Sequence, residues 1–362
     1  MQFADDGIAR LILRTDRAGD GPAAGDGPGA GDGVILAEYI YAPTEPQVES
    51  PRPYALLRTL DGAAATAYRP ADHVWHKGLS LALPVVGHEN FWGGPTYVHG
   101  EGYLQQANNG AQVHRTFRHT AAAGVARVDE TLDWVTEDGR TVLAEGRTLT
   151  ARRLDAGTGA WALTWRSALR NITSEPLGFG SPTSKGRDNA GYAGIFWRGP
   201  AAWTGGEILG PGGPAGDSAR GASAPWLAFV APDRSAGVLM LDATASPSPA
   251  GHPWFARSEE YAGLNPAPFF SRETVLPPGD TLVLAAAVVV GTAVVADLAP
   301  TAGAALVTEL RTAGADPTGL GEIPQIRSAA HPVSESGDEL RIRAGRTAGI
   351  HAPGTDLDKD PA

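Results

Sequence analysis

Apolar residues recur along this chain mostly with a period of two, in short runs separated by Gly, Pro, Asp and Asn. That period marks half-buried strands, whose side chains alternate between two faces. The segments IARLILR (8–14) and VILAEYIYA (34–42) read as a pair of strands. Further runs follow at short spacing: YALLRTL, AQVHRTFRHT, ARVDETLDWV, TVLAEGRTLTARRL, AWALTWRSAL, WLAFVA, AGVLMLDA, FFSRETVL and TLVLAAAVVV. Asp138-Gly139 and Asp233-Arg234-Ser235 supply turn centres. Many short strands with Gly/Pro turns predict an all-β fold, a large antiparallel β-supersandwich, rather than alternating strands and helices. One helix is predicted late, over 293–313, with Val294, Leu298, Leu306 and Leu310 on related faces. Residues 1–315 form one predicted domain. From 316 to 362 the chain turns polar and loses its periodicity, which predicts a disordered tail.

Alternation also assigns faces within strands. In AWALTWRSALRN, Trp161, Leu163, Trp165 and Leu169 share one face, and Arg166 and Arg170 share the other. In ARVDETLDWV, Val128, Leu132 and Trp134 share a face with Glu130, while Asp129, Thr131 and Asp133 point away. A carboxylate on an apolar face must be paired, hydrogen-bonded or shifted in pKa. Glu130 therefore reads either as a partner of a buried cation or sheet edge, or as a carboxylate in a cleft.

Composition narrows function more than fold. The 362 residues include 47 Gly and 29 Pro, about a fifth of the chain, against roughly 12% in average proteins. Part of that excess is AGDGPAAGDGPGAGDG (18–33), with GDG at 19, 25 and 31. Carboxylates and Gly are the ingredients of a calcium loop, but the strand residues of a calcium repeat are missing, so a flexible hairpin loop is the expectation. A net charge of −11 argues against a general nucleic-acid or anionic-membrane binder. The absence of Cys removes disulfides, thiolate metal sites and a Cys nucleophile. The longest apolar run, 282–296, is 15 residues, short of the roughly 20 that span a bilayer. The N-terminal MQFADDGIARLILR lacks a basic stretch followed by an apolar one. The expected location is the cytoplasm.

Candidate chemistry concentrates in three blocks. Six of the nine His lie at 73, 76, 88, 99, 114 and 119. The densest block, ADHVWHKGLSLALPVVGHENFWGGPTYVHGEGY (71–103), adds Asp72, Glu89, Asn90, Trp92, Tyr97 and Glu101. Imidazoles, carboxylates and aromatics in a Gly-rich connection suit a binding loop on a β scaffold. His73 and His76, three apart, face one ion if they sit on a helical turn and diverge on a strand. A divalent metal held by these two His and a carboxylate, acid–base use without metal, and a structural role all remain open. The zinc motif HExxH is absent. The second block, GSPTSKGRDNAGYAGIFWRGP (180–200), sets Lys185, Arg187, Asp188, Asn189 and Tyr192 among five Gly. It is neither a P-loop nor a dinucleotide fingerprint, and it reads as a ligand-contacting loop or as an ordered crossing. The third, GHPWFARSEEYAGLNPAPFF (251–270), offers Trp254, Arg257, Glu259, Glu260, Tyr261 and Asn265 as a cleft wall suited to sugars. No GxSxG nucleophile elbow occurs.

The segments DHVWHKGLSLAL, NFWGGPTYV, GSPTSKGRDNAGYAGIFWRGP and PWFARSEEYAGLNPAPFF resemble the soluble PmoA-like family of actinobacterial proteins, over roughly residues 50–290. That resemblance implies a sugar-related context, beside sugar-oxidising dehydrogenases. A weaker likeness, carried by FWGGPTYVHGEGY and by a strand ending in NITSEPL before a loop, is to the galactose mutarotase-like supersandwich. Its members use a His and a Glu on a concave sheet at a sugar's anomeric centre. The loop where that His belongs reads SPTSKGRDN and has none.

Together these observations predict a carbohydrate-active enzyme acting by hydrolysis or elimination on a glycoside, a 3-keto sugar included. His73, His76, Glu130 and Lys185 are the expected catalytic groups, Glu130 as the partner carboxylate of the His pair, with His73 and His76 as metal ligands if a metal is used. Asn90, Trp92, Tyr97, Arg187, Asn189, Tyr192 and Arg257 are expected to hold the sugar, Trp92 and Tyr97 by stacking. A sugar epimerase and a non-catalytic sugar-binding protein are the alternatives. The expected partner is a small carbohydrate, with no nucleic acid and no membrane.

Overall fold

The computed structural model describes residues 1–5, 9–15, 33–154, 156–248 and 250–312. The GDG loop, apart from Gly33, and the segment from 316 onward lie outside the described residues.

Two antiparallel sheets face each other, as the period-two pattern predicts. One has eight strands, in the spatial order Gln2–Asp5, Arg10–Arg14, Ile35–Ile40, Tyr54–Leu57, Leu79–Ala82, Gly194–Arg198, Gly263–Pro266 and Trp254–Arg257. The other has nine, in the order Gly213–Pro214, Glu207–Gly210, Trp226–Val230, Gly237–Asp242, Thr281–Gly291, Trp161–Asn171, Thr141–Arg153, Val125–Val135 and Ala111–Ala122. The pairing of 8–14 with 34–42 is realised as Arg10–Arg14 against Ile35–Ile40.

Alternation sorts the side chains into three apolar layers. Val128, Trp134, Leu149, Trp161, Leu163 and Trp165 of the larger sheet meet Leu79, Leu81, Ile195, Trp197, Trp254 and Leu264 of the smaller one in the central core. Ala162, Leu239, Ala285, Ala287 and Val289 form the other face of the larger sheet, covered by Leu306 and Leu310 of the late helix. Phe196, Phe255 and Ala82 form the other face of the smaller sheet, covered by Trp92, Tyr192, Tyr261 and Phe270 from loops. The face assignments for 125–135 and 161–171 hold: Arg166 is half-buried and Arg170 exposed, opposite four buried apolar residues.

Two elements differ from expectation. The helix runs only over Ala304–Thr312. A 3-10 turn, Val295–Leu298, and a π-turn, Ala299–Gly303, precede it. Pro300 has no N–H to give to a helical ladder, which delays the regular helix. Val294 accordingly sits outside it and is 57% exposed. In FFSRETVL only Thr274–Leu276 is a strand.

Candidate functional site

The loop-covered face of the smaller sheet collects most of the residues singled out by sequence. In Gly194–Arg198, Ile195 and Trp197 enter the central core, so Phe196 and Arg198 emerge on the opposite face. Phe255 and Arg257 emerge beside them, while Trp254 and Ala256 turn inward. Trp254 is therefore core and not a cleft wall.

His73 and His76 come from a turn, His76 N donating to His73 O at 2.9 Å. Their rings stack face to face, with centroids 4.5 Å apart and planes 5° from parallel. Asp72 Oδ2 bonds His73 Nδ1 at 2.8 Å and accepts from Arg198 Nη2 at 2.8 Å. Arg198 Nη1 lies 3.0 Å from His76 Nδ1. A guanidinium only donates, so His76 Nδ1 accepts and its hydrogen sits on Nε2. Arg198 also stacks 3.9 Å over the Tyr261 ring. Burial pushes the His76 pKa well below its usual value, and the neighbouring His73, Arg198 and Arg52 push it the same way.

This geometry corrects two expectations. His76 stays neutral at pH 7 and does not trade protons near neutrality. Imidazole lone pairs lie in the ring plane, and two parallel stacked planes cannot both meet an ion at the roughly 2.0–2.1 Å of a metal–nitrogen bond. His73 and His76 are thus not joint ligands of one metal. Among the described residues no group of three or more His, Asp or Glu is placed to hold an ion.

Burial raises the Asp72 pKa, but hydrogen bonds from His73 and Arg198 and the charge of Arg198 outweigh it, and the net shift is downward. A lowered folded-state pKa adds stability that is present above the ordinary carboxylate pKa of about 4 and lost as pH falls through the lowered value. Asp72→Asn should therefore flatten the fall of stability below about pH 4, read as the urea midpoint against pH. An unchanged acid limb would show that the His73–Asp72–Arg198 link does not hold in solution.

The second cluster lies where the loops 84–104 and 181–193 meet. Tyr103 Oη is 2.9 Å from Tyr192 Oη and accepts from Arg187 Nε at 3.0 Å. The Arg187 guanidinium lies 5.0 Å over the Tyr103 ring, and Tyr97 packs edge-on against Tyr103 at 5.5 Å. Asn90, Trp92, Tyr97, Lys185 and Tyr192 line one small pocket beside it. Its volume is about 10 Å³, space for one water and too small to enclose a sugar ring. Gly186, at φ +102°, lets the His99 ring pack where a Cβ would sit 2.3 Å from Nδ1.

Several of the residues expected to meet a sugar are placed otherwise. Trp92 and Tyr192 are buried in the aromatic layer at 2% and 3% exposure, so Trp92 is no open stacking platform. Asn90 shapes its own loop, accepting from Trp92 N at 2.8 Å and Gly93 N at 3.0 Å. Lys185 pairs with Glu273 at 2.5 Å. Asn189 is exposed, with φ +59°, a conformation Asn tolerates. Arg257 is buried and donates to Glu260 at 2.8 Å.

Glu130 is not the partner carboxylate of the His pair; Asp72 takes that place. Glu130 lies between the two sheets, 3% exposed, accepting from Tyr39 Oη and bonded to His114 Nδ1 at 2.7 Å. Arg147 Nη1 donates to Tyr39 Oη at 3.0 Å, and its other nitrogens bind Glu145 at 2.8 and 2.9 Å and Gln112 at 2.8 Å. Of the two readings of Glu130, the paired one is what the structure contains.

Arg198 and Tyr103 were missed as individual residues. Arg198 was legible, since it alternates with Trp197 at the end of a wholly apolar strand. Tyr103 gave no local signal, because its partners lie 84 and 89 positions away.

Comparison with known proteins adds a family but no activity. None of the curated proteins matches this chain. Two structures of GH36 alpha-galactosidase AgaA variants from Geobacillus stearothermophilus, in complex with raffinose and with 1-deoxygalactonojirimycin, are similar at 13% identity and TM-score 0.36, over 78% of this chain and 40% of theirs. A third, with stachyose, is similar at 13% identity and TM-score 0.34, over 71% and 39%. The chain thus spans about two-fifths of those proteins. None of these matches carries the PmoA-like name that the residue patterns suggested. Residues 30–303 match the model described as "Family of unknown function (DUF6807)", and the chain belongs to that family.

Proposed function

We propose that this is a carbohydrate-active enzyme that holds a sugar across the rim of the loops 84–104 and 181–193 and cleaves a glycoside by acid–base chemistry. The observation that supports this reading is the Tyr103 oxygen, held by Arg187 and within 2.9 Å of a second phenol, Tyr192. A phenol oxygen beside a cation suits removal of the proton next to a carbonyl in a 3-keto glycoside. The C–H electron pair becomes the new C=C bond as the bond to the aglycone breaks. The aglycone oxygen takes a proton from Tyr192, and the 2.9 Å contact returns it between the phenols. Proton handling in this reading passes from His76 to the tyrosines. The aromatic rings of Tyr97 and Tyr103 offer the apolar surface that sugar faces require. The reading keeps the cytoplasm as location and a sugar dehydrogenase as the partner that supplies the keto group.

A second reading, a non-catalytic sugar-binding protein, uses the same aromatic rim of Tyr97 and Tyr103 without proton transfer. Aglycone release from glycosides and 3-keto glycosides separates the readings. Wild type should turn over the keto substrates, and Tyr103→Phe should lose about 10²–10⁴-fold in kcat while still binding the sugar. Saturable binding with no turnover in wild type leaves the binding protein. Faster anomer exchange by NMR with no release makes it an epimerase. No binding of any sugar overturns both readings.

A further inference from the structure

A second cavity lies away from these loops, on the far side of the larger sheet. It is a cleft of about 660 Å³ between Asp242, Ala245, Ser246, Ser248 and Gly251 on one side and the helix Ala304–Thr312 on the other. That is within the roughly 300–1,000 Å³ of small-molecule sites.

The helix has two working faces. Leu306 and Leu310 enter the apolar layer. Ala304, Val307, Thr308 and Arg311, spaced i, i+3, i+4, i+7, line the cleft. Trp226, Leu241 and Ala299 complete an apolar floor. The opposite wall is pinned in place. Asp242 accepts from Thr244 N at 3.0 Å, His252 N at 3.2 Å and His252 Nδ1 at 2.7 Å. Thr244 Oγ1 in turn donates to Ala285 O at 3.2 Å and accepts from Ala285 N at 3.0 Å.

These bonds decide which polar group is offered to a ligand. Both Asp242 oxygens are taken by donors from its own loop, and the residue is 3% exposed. Thr308 Oγ1 donates to Ala304 O at 2.9 Å, within the helix. Arg311 is exposed and makes no ion pair with any described carboxylate, while Glu309 two positions away is taken by Arg152. An apolar floor with one cation at its mouth complements an apolar body carrying one negative charge.

We propose that this cleft binds a small amphipathic monocarboxylate, its apolar part on Trp226, Leu241 and Val307 and its carboxylate on Arg311. Titration calorimetry with decanoate, below its aggregation limit, tests this on the full chain. Wild type should bind saturably, and Arg311→Gln, an exposed change that spares the core, should weaken binding by about tenfold or more. Val307→Trp, which fills the cleft from the helix surface, should abolish it, with circular dichroism confirming the fold. Decylamine should bind more weakly than decanoate. Absence of saturable decanoate binding, equal binding by Arg311→Gln, or tighter binding of decylamine would each overturn the proposal. None of these outcomes bears on the loop site at Tyr103.

Discussion

Replacing Arg147 with Met should lower stability by about 3–5 kcal/mol. Arg147 is 1% exposed and lies between the sheets. It donates to both oxygens of Glu145, to Gln112 and to Tyr39, and stacks 4.6 Å over the Trp165 ring. Burial works against its charge, but Glu145, Tyr39 and Glu130 more than offset this and raise its pKa. Met would leave the Glu145 carboxylate in the core without its cation and would remove the charge that Arg147 exerts on Glu130. Removing one partner of a buried ionic group costs more than the group contributes, because the other is left uncompensated. The urea midpoint should fall with an unchanged m-value. Arg147→Met with Glu145→Met, which removes both charges, should regain part of the loss. A cost below about 1 kcal/mol for the single change, the size of a surface pair, would show that water reaches this cluster.

Replacing Arg52 with Met should cost a similar amount, about 3–5 kcal/mol, and strike the loop-covered face first. Arg52 is 1% exposed and donates to the carbonyls of Glu49, Ser50, Trp92 and Trp75 at 3.3, 3.0, 2.8 and 2.6 Å, and to Ser80 Oγ at 3.2 Å. Burial lowers its pKa to about 10, which leaves it charged at pH 7. One guanidinium thus joins the segments 49–50, 75 and 92 over the sheet. Met satisfies none of these carbonyls, and each buried orphan carries a desolvation cost. Limited proteolysis should cut the variant within 69–78 or 87–104 before the sheets unfold, with tryptophan emission from the central core retained. Arg52→Lys should recover only part, since an ammonium has three donors and no planar fork. Loops as protease-resistant as in wild type would remove Arg52 from this role.

How much of the site was legible depends on how local each signal is. The outward face of Phe196 and Arg198 follows from alternation with Ile195 and Trp197, and the crowding of His and aromatics in 71–103 marked the covering loop. The chemistry of each group was not legible. His76 looks from sequence like a group poised near neutrality. Its neutral, Nε2-protonated state depends on Arg198, 122 positions away, and on complete burial. Glu130 could be read as buried, but Tyr39, which holds it, lies 91 positions away.

By itself the sequence determined the all-β class, the inward and outward faces of the long strands, Glu130 on an apolar face and the late helix. Each of these rests on a period of two or on helix-forming residues, and such patterns are carried by neighbours in the chain. Only the tertiary structure decided that Asp72, not Glu130, orders the His pair, that Trp92 is core, and that Tyr103 meets Tyr192 and Arg187. Hydrogen bonding, burial and charge at those positions are set by sheet order and loop crossing, which bring together side chains 84 to 126 residues apart. No periodicity in the chain encodes a separation of that length.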